Sequence, residues 1–153
     1  MKIGDKIPNK KYQIGTNKEL TVNDLKGKKT VIYFYPKDDT PGCTKEGIEF
    51  SELKKDFDDL NTVIFGISKD SLEKHEKFKK KHDLLVELIS DVSGTICDNF
   101  GVWVEKSMYG KKYMGIERST FLFDEELKLI KFWRKVKVKN HAKEVLESIK
   151  NLS

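Results

Sequence analysis

The residue best placed to do chemistry is Cys43, which closes the string Thr40-Pro41-Gly42-Cys43. A thiol attacks as the thiolate, and the start of a helix is one place where that form is stabilised. There, unpaired backbone N–H groups and partial positive charge point at whatever sits in the first turn. Thr40 suits the N-cap and Pro41 the first helical position, which puts Gly42 second and Cys43 third. Gly42 also lets a small ligand approach the backbone closely. Helix position alone leaves a second reading open, because free cysteine is among the residue types most often buried and inert.

The other chemistry-bearing residues are less pointed. Cys97 lies beside Ile96 and near Phe100, the setting of an inert buried thiol. His75 and His82 fall on a lysine-rich helical stretch and read as a solvated face rather than a metal site. No Cys/His cluster has zinc-site spacing, and no Walker-type glycine loop is present. Lys45 and Glu46 follow Cys43 where a disulfide reductase of the Cys-x-x-Cys type would carry its second cysteine. No arginine follows in the same loop, as a cysteine phosphatase would require. Spacing leaves a Cys–His hydrolase open, but none of the histidines is placed for one.

The totals bound the setting. A chain of 153 residues with 37% hydrophobic and 36% charged side chains reads as one globular domain, residues 1–153. The net charge of +5 gathers in the second half, partly in the run Lys128, Lys131, Arg134, Lys135, Lys137 and Lys139. Lysines on alternate positions fit a solvated face or a protected sheet edge better than a nucleic-acid surface, and no nucleic-acid reading motif accompanies them. Two cysteines do not make a disulfide scaffold. The N-terminal residues have no apolar h-region, and the longest apolar run, Val31–Tyr35, is far short of a membrane span. A cytoplasmic, reducing compartment is expected, with no membrane partner.

The elements that must hold Cys43 follow from hydrophobic period. Residues 3–20 suggest short strands with a hairpin tip over Gln13–Asn17, and Thr21–Leu25 a single helical turn. Thr30–Tyr35 is a run of β-branched and aromatic residues, the signature of a central strand buried on both faces, and Pro36 ends it. Ile48, Leu53, Phe57 and Leu60 predict one amphipathic helix of about four turns after the Cys43 turn. Strands are predicted at Thr62–Ser68 and Leu84–Ile89, with a charged helix capped by Ser71 between them. A short helix opened by Asp91, a hairpin of Ser119–Phe123 with Leu127–Trp133, and a final helix over His141–Asn151 complete the order. Strand–helix alternation followed by a hairpin and a helix predicts an α/β, thioredoxin-like sandwich: a mixed central sheet with helices on both faces.

Pro36-x-x-x-Thr40-x-x-Cys43 resembles the active-site signature of the peroxiredoxins. The longer string Tyr35–Glu46 is similar to the bacterioferritin-comigratory-protein, or peroxiredoxin Q, subfamily. So are Gly101-Val102-Trp103, Arg118-Ser119-Thr120-Phe121-Leu122 and Trp133–Lys137 ahead of His141. The resemblance implies a thiol-dependent peroxidase of antioxidant defence, acting on hydrogen peroxide and organic hydroperoxides with no metal, haem or flavin cofactor. It makes Cys43 the peroxidatic nucleophile, which passes through a sulfenic acid. It implies that Thr40 aligns the peroxide, that Arg118 supports the thiolate and the leaving oxygen, and that Pro36 shapes and shields the loop. Glu46 becomes a structural partner of an arginine, with Arg134 as its mate, and Trp103 with Phe100 and Val102 an apolar wall.

The pattern departs at Ile48, where many members carry a resolving cysteine five residues after the first. That leaves Cys97 or an outside thiol to answer the sulfenic acid, and the outside thiol is preferred. A one-cysteine enzyme is therefore expected, monomer or weak dimer, regenerated by a thioredoxin-like or small-thiol reductant. The rival from another class is a thioredoxin-like module that binds partners without catalysis.

Overall fold

The computed structural model describes residues 1–152. The sequence places its most continuous apolar run at the centre. Strand β3 (Lys29–Phe34) is buried at every residue after the first. Its flanks are β1 (Tyr12–Gly15), β2 (Lys18–Leu20) and the short helix α1 (Val22–Leu25) before it, and α2 (Pro41–Glu52) and α3 (Lys54–Asp59) after it. The chain continues through β4 (Thr62–Ser68), α4 (Leu72–His82), β5 (Glu87–Ser90) and α5 (Thr95–Phe100). It ends with β6 (Trp103–Met108), β7 (Lys111–Ile116), β8 (Ser119–Phe123), β9 (Leu129–Trp133) and α6 (His141–Lys150).

Seven strands form one sheet in the order β2-β1-β5-β4-β3-β8-β9. β3, β4 and β5 run parallel, joined through helical crossovers, while β8 pairs antiparallel with β3 and β9 with β8. Alternation along β3 divides the core by face. Ile32 and Phe34 join α5 and the Phe121–Phe123 side, whereas Val31, Tyr33 and Tyr35 join α2, α3, α4 and α6. This is the mixed sheet with helices on both faces that the element order predicts. Close packing also dictates a glycine: a Cβ on Gly66 would lie 2.7 Å from Cζ of Tyr33 and 3.0 Å from Leu88. No helix among the described residues is long and apolar enough to cross a membrane.

Several boundaries differ from the sequence reading. The helix predicted after the Cys43 turn is two helices, because Leu53 leaves helical geometry at φ −96° and ψ 3°. Apolar spacing is the same on either side of the break, so the pattern does not reveal it. The third strand begins at Glu87 rather than Leu84. Leu84 and Val86 are buried all the same, as loop residues packed on α2 and α4, and apolar character reports burial rather than pairing. The short helix starts at Thr95 after a left-handed Gly94, and Asp91 caps it from a distance through Ile96 N–H and Cys97 N–H.

The β6–β7 hairpin has no counterpart in the sequence reading. Most of its strand residues are exposed, and its apolar residues, Trp103, Val104, Met108, Tyr113, Met114 and Ile116, keep no two-residue alternation that would mark them as strands. Its turn is formed by Tyr109 and Gly110, both at positive φ, as a two-residue hairpin loop requires.

Candidate active site

Parallel pairing of β3 with β4 brings the chain out at Tyr35, whose N–H still donates to Ile67 O at 3.1 Å. Pro36, exposed, takes it out of the ladder and into the turn that leads to α2. Thr40 has the extended backbone of an N-cap, with Pro41 at the first helical position as expected. Its side chain does not cap the helix: the hydroxyl donates to Lys37 O at 2.9 Å and so ties the turn to itself.

Cys43 sits in the first turn of α2 and is only 2% exposed. Its sulfur accepts a hydrogen bond from Nη2 of Arg118 at 3.3 Å. Arg118 comes from the junction between β7 and β8, 75 residues away in sequence, and reaches the sulfur because β8 is the antiparallel neighbour of β3. Its Nη1 donates to Oε1 of Glu46, one helical turn beyond Cys43. Gly42 makes room for this approach, since a Cβ there would stand 3.3 Å from Arg118 Nη2.

Burial pushes the Glu46 carboxyl up to about 7 against the pull of Arg118, and Glu49 adds to the rise. Burial works against the Arg118 charge as well, but Glu46 and Cys43 outweigh it and hold the guanidinium above its usual range. Among the described residues, Glu46 Oε2 has no hydrogen-bond partner.

The structure thus brings Cys43 and Arg118 together, leaves Thr40 at the helix start with its hydroxyl on Lys37 O, and corrects several companion assignments. The mate of Glu46 is Arg118, not Arg134. Arg134 is held instead by Glu117 at 2.8 Å and by Gly101 O at 2.7 Å. Phe100 and Val102 do not wall the sulfur. They belong to the core layer across the sheet from Cys43, where Phe100 packs on Phe34 and Phe121 with ring centroids 4.9 and 5.0 Å apart. Trp103 is half-buried at the edge of that layer, with Lys69 Nζ 3.9 Å above its ring. Ile48 is half-buried, packing on the edge of the Cys43 layer.

Cys97 lies in the opposite layer from Cys43 and is fully buried. Burial first, then Asp91, pushes its thiol far above the ordinary range. His75 is also misread by its sequence context, being 2% exposed rather than solvated. Lysine-rich neighbours conceal that it shares with Phe78 the one face of α4 that packs inward. His82 is partly exposed, 2.8 Å from Asp39. No sequence signal short of the helical period, applied to two inward-facing positions among charges, would have found His75.

The chain belongs to the AhpC/TSA family, the peroxiredoxins, whose pattern matches residues 3–132. Within that class it sits with the Bcp, or peroxiredoxin Q, proteins. It is 48% identical over 153 residues to peroxiredoxin Bcp of Bacillus subtilis, covering 100% of this chain and 98% of that one. It is 36% identical to the Bcp of Escherichia coli K12 over 98% of this chain and 96% of that one. Among solved structures, the bacterioferritin comigratory protein of Xanthomonas campestris superposes with a TM-score of 0.91 at 41% identity, over 95% of this chain and 91% of that one. The PrxQ of Xylella fastidiosa, solved as a cysteine-to-serine mutant, gives 0.93 at 39% identity, over 99% and 96%. The thioredoxin-like architecture and thiol peroxidase class expected from the sequence are therefore correct.

Proposed function

We propose that this peroxidase reduces hydrogen peroxide and organic hydroperoxides through Cys43 alone, with an outside thiol completing the cycle. The observation that carries the reading is the hydrogen bond from Arg118 to the Cys43 sulfur at a helix start. The thiolate attacks the terminal peroxide oxygen, an S–O bond forms as the O–O bond breaks, and the alkoxide or hydroxide takes a proton and leaves. Cys43 becomes a sulfenic acid. Arg118 offsets charge on the sulfur and on the departing oxygen. The Thr40 hydroxyl, at the end of the same turn, orients the peroxide, and Pro36 fixes how the turn leaves β3. Glu46 holds the guanidinium in its plane. An organic substrate is supported by the Xanthomonas relative, described for its alkyl peroxide reduction activity.

A thiol from a thioredoxin-like protein or a small molecule then attacks the sulfenic sulfur, releasing water and leaving a mixed disulfide that a second thiol reduces. Cys97 is unsuited to that attack, being across the sheet, fully buried and with its thiol form favoured. We place the enzyme in a reducing cytoplasm as a monomer or weak dimer. The test is Cys43→Ser together with intact-mass analysis of peroxide-treated protein. The mutant should consume no peroxide, and the native chain should yield a trappable sulfenic acid with no 43–97 bridge. Full turnover by Cys43→Ser, or a bridged product, would defeat the reading.

A further inference from the structure

Asp38 stands in the turn between Pro36 and Thr40, yet its side chain is buried. Its Oδ1 accepts from the Tyr35 hydroxyl at 2.6 Å, and its Oδ2 lies 2.6 Å from Nδ1 of His75. Its backbone N–H donates to Asp70 Oδ2 at 2.8 Å. The other ring nitrogen of His75, Nε2, lies 3.0 Å from Ile89 O on β5. The next residue, Asp39, has φ 58° and accepts from Lys81 Nζ at 2.7 Å, with His82 Nε2 at 2.8 Å. Helix α4 therefore grips two successive residues of the turn, one inside the protein and one at its surface. Asp39 alone separates the buried grip from Thr40, whose hydroxyl is already tied to Lys37.

We propose that Asp38 and His75 are a positioning pair for the peroxide reaction, setting where the turn presents Thr40 and the first turn of α2. The proposal rests on the reading of Thr40 and Cys43 as the peroxide-handling groups. Neither Asp38 nor His75 touches the sulfur; they act through the backbone that carries it. Near-attack geometry is unforgiving, and a misplacement of about 1 Å can slow a reaction on the order of a hundredfold.

The pair's hydrogen bonds add a specific signature. Both ring nitrogens of His75 face acceptors, a carboxylate and a carbonyl, while a neutral imidazole has only one N–H. Satisfying both contacts requires a proton shared along the His75–Asp38 contact, as imidazolium with carboxylate or imidazole with carboxylic acid. Asparagine at position 38 keeps the whole pattern without that proton. Its carbonyl accepts from Tyr35, its amide donates to His75 Nδ1, and Nε2–H donates to Ile89 O. Alanine at either position cannot.

The test compares Asp38→Ala, His75→Ala and Asp38→Asn in the full chain. Its readouts are stopped-flow oxidation of Cys43 by hydrogen peroxide, alkylation of Cys43 by iodoacetamide, and nitrogen-15 NMR of the His75 ring. Both alanine variants should react with peroxide about tenfold or more slowly, while alkylation, which needs no alignment by Thr40 and Arg118, changes less than about threefold. Asp38→Asn should stay within about threefold of the native peroxide rate and show His75 protonated at Nε2 only. Native peroxide rates in the alanine variants would overturn the proposal. So would an Asp38→Asn variant about tenfold or more slower than native, a readout that stands if the alanine proteins do not fold. A native chain inert to peroxide with the His75 signature intact would instead place the failure in the peroxidase assignment.

Discussion

Cys43 and Glu46 lie three residues apart on one face of α2 and are held by the two terminal nitrogens of a single guanidinium, that of Arg118. The planar fork of arginine makes this possible, because it can point one donor at sulfur and another at a carboxylate without rearranging. The carboxylate fixes the fork, and the fork fixes the field at the sulfur. Each of the three groups is consequently tested by changing one of the others.

Arg118→Lys keeps the charge and loses the fork. Hydrogen bonds to charged groups are worth roughly 1.5–3 kcal/mol, so the rate of Cys43 oxidation should fall roughly tenfold to a hundredfold. Stopped-flow kinetics with hydrogen peroxide measures it, and a rate within about twofold of native would refute the role of the fork.

Glu46 makes stability depend on pH in a defined direction. Its folded pKa, about 7, lies above the ordinary carboxylate value of 4.5, so between those limits the folded state binds more protons than the unfolded chain. Its contribution is fully present at the acid end and is lost as pH rises through 7. Urea unfolding of native protein and Glu46→Gln from pH 5 to 8 should show the native chain losing ground to the variant. The loss should be at most about 3 kcal/mol, at roughly 1.4 kcal/mol per pH unit. A flat difference would show that Glu46 does not titrate there.

Cys97→Ala should leave peroxidase turnover and the oxidation products as they are, because the sheet separates Cys97 from Cys43. Loss of a fully buried side chain should still lower stability by about 1 kcal/mol or somewhat more. A change in the mass of the peroxide-oxidised product would return Cys97 to the cycle.

Gly66→Ala tests the packing beneath the active-site helix. The new methyl would meet Tyr33, which stacks on Phe50 of α2 with ring centroids 4.6 Å apart. Overpacking of this kind costs about 1–3 kcal/mol, to be read from the urea midpoint at unchanged slope. An unshifted midpoint would mean that Tyr33 moves aside freely.

Sequence alone supplied the candidate cysteine and the frame around it. Thr40-Pro41-Gly42-Cys43 is a local signal, because capping, the fixed φ of proline and the first-turn dipole act within a few residues. The buried run of β3 and the helix–strand alternation are local signals too, and they were enough for the sheet and its layers. Tertiary structure alone decided the partners. Which arginine meets Glu46, which face of the sheet receives each cysteine, and whether His75 points in or out all depend on strand order and helix rotation. Composition around His75 pointed the wrong way, since burial is set by one inward-facing position and not by the charge of its neighbours. Cys43 was therefore marked as a candidate by its own turn. Arg118 was named by resemblance, but its hold on both Cys43 and Glu46, and the hold of His75 on the turn through Asp38, became visible only when the chain had closed around them.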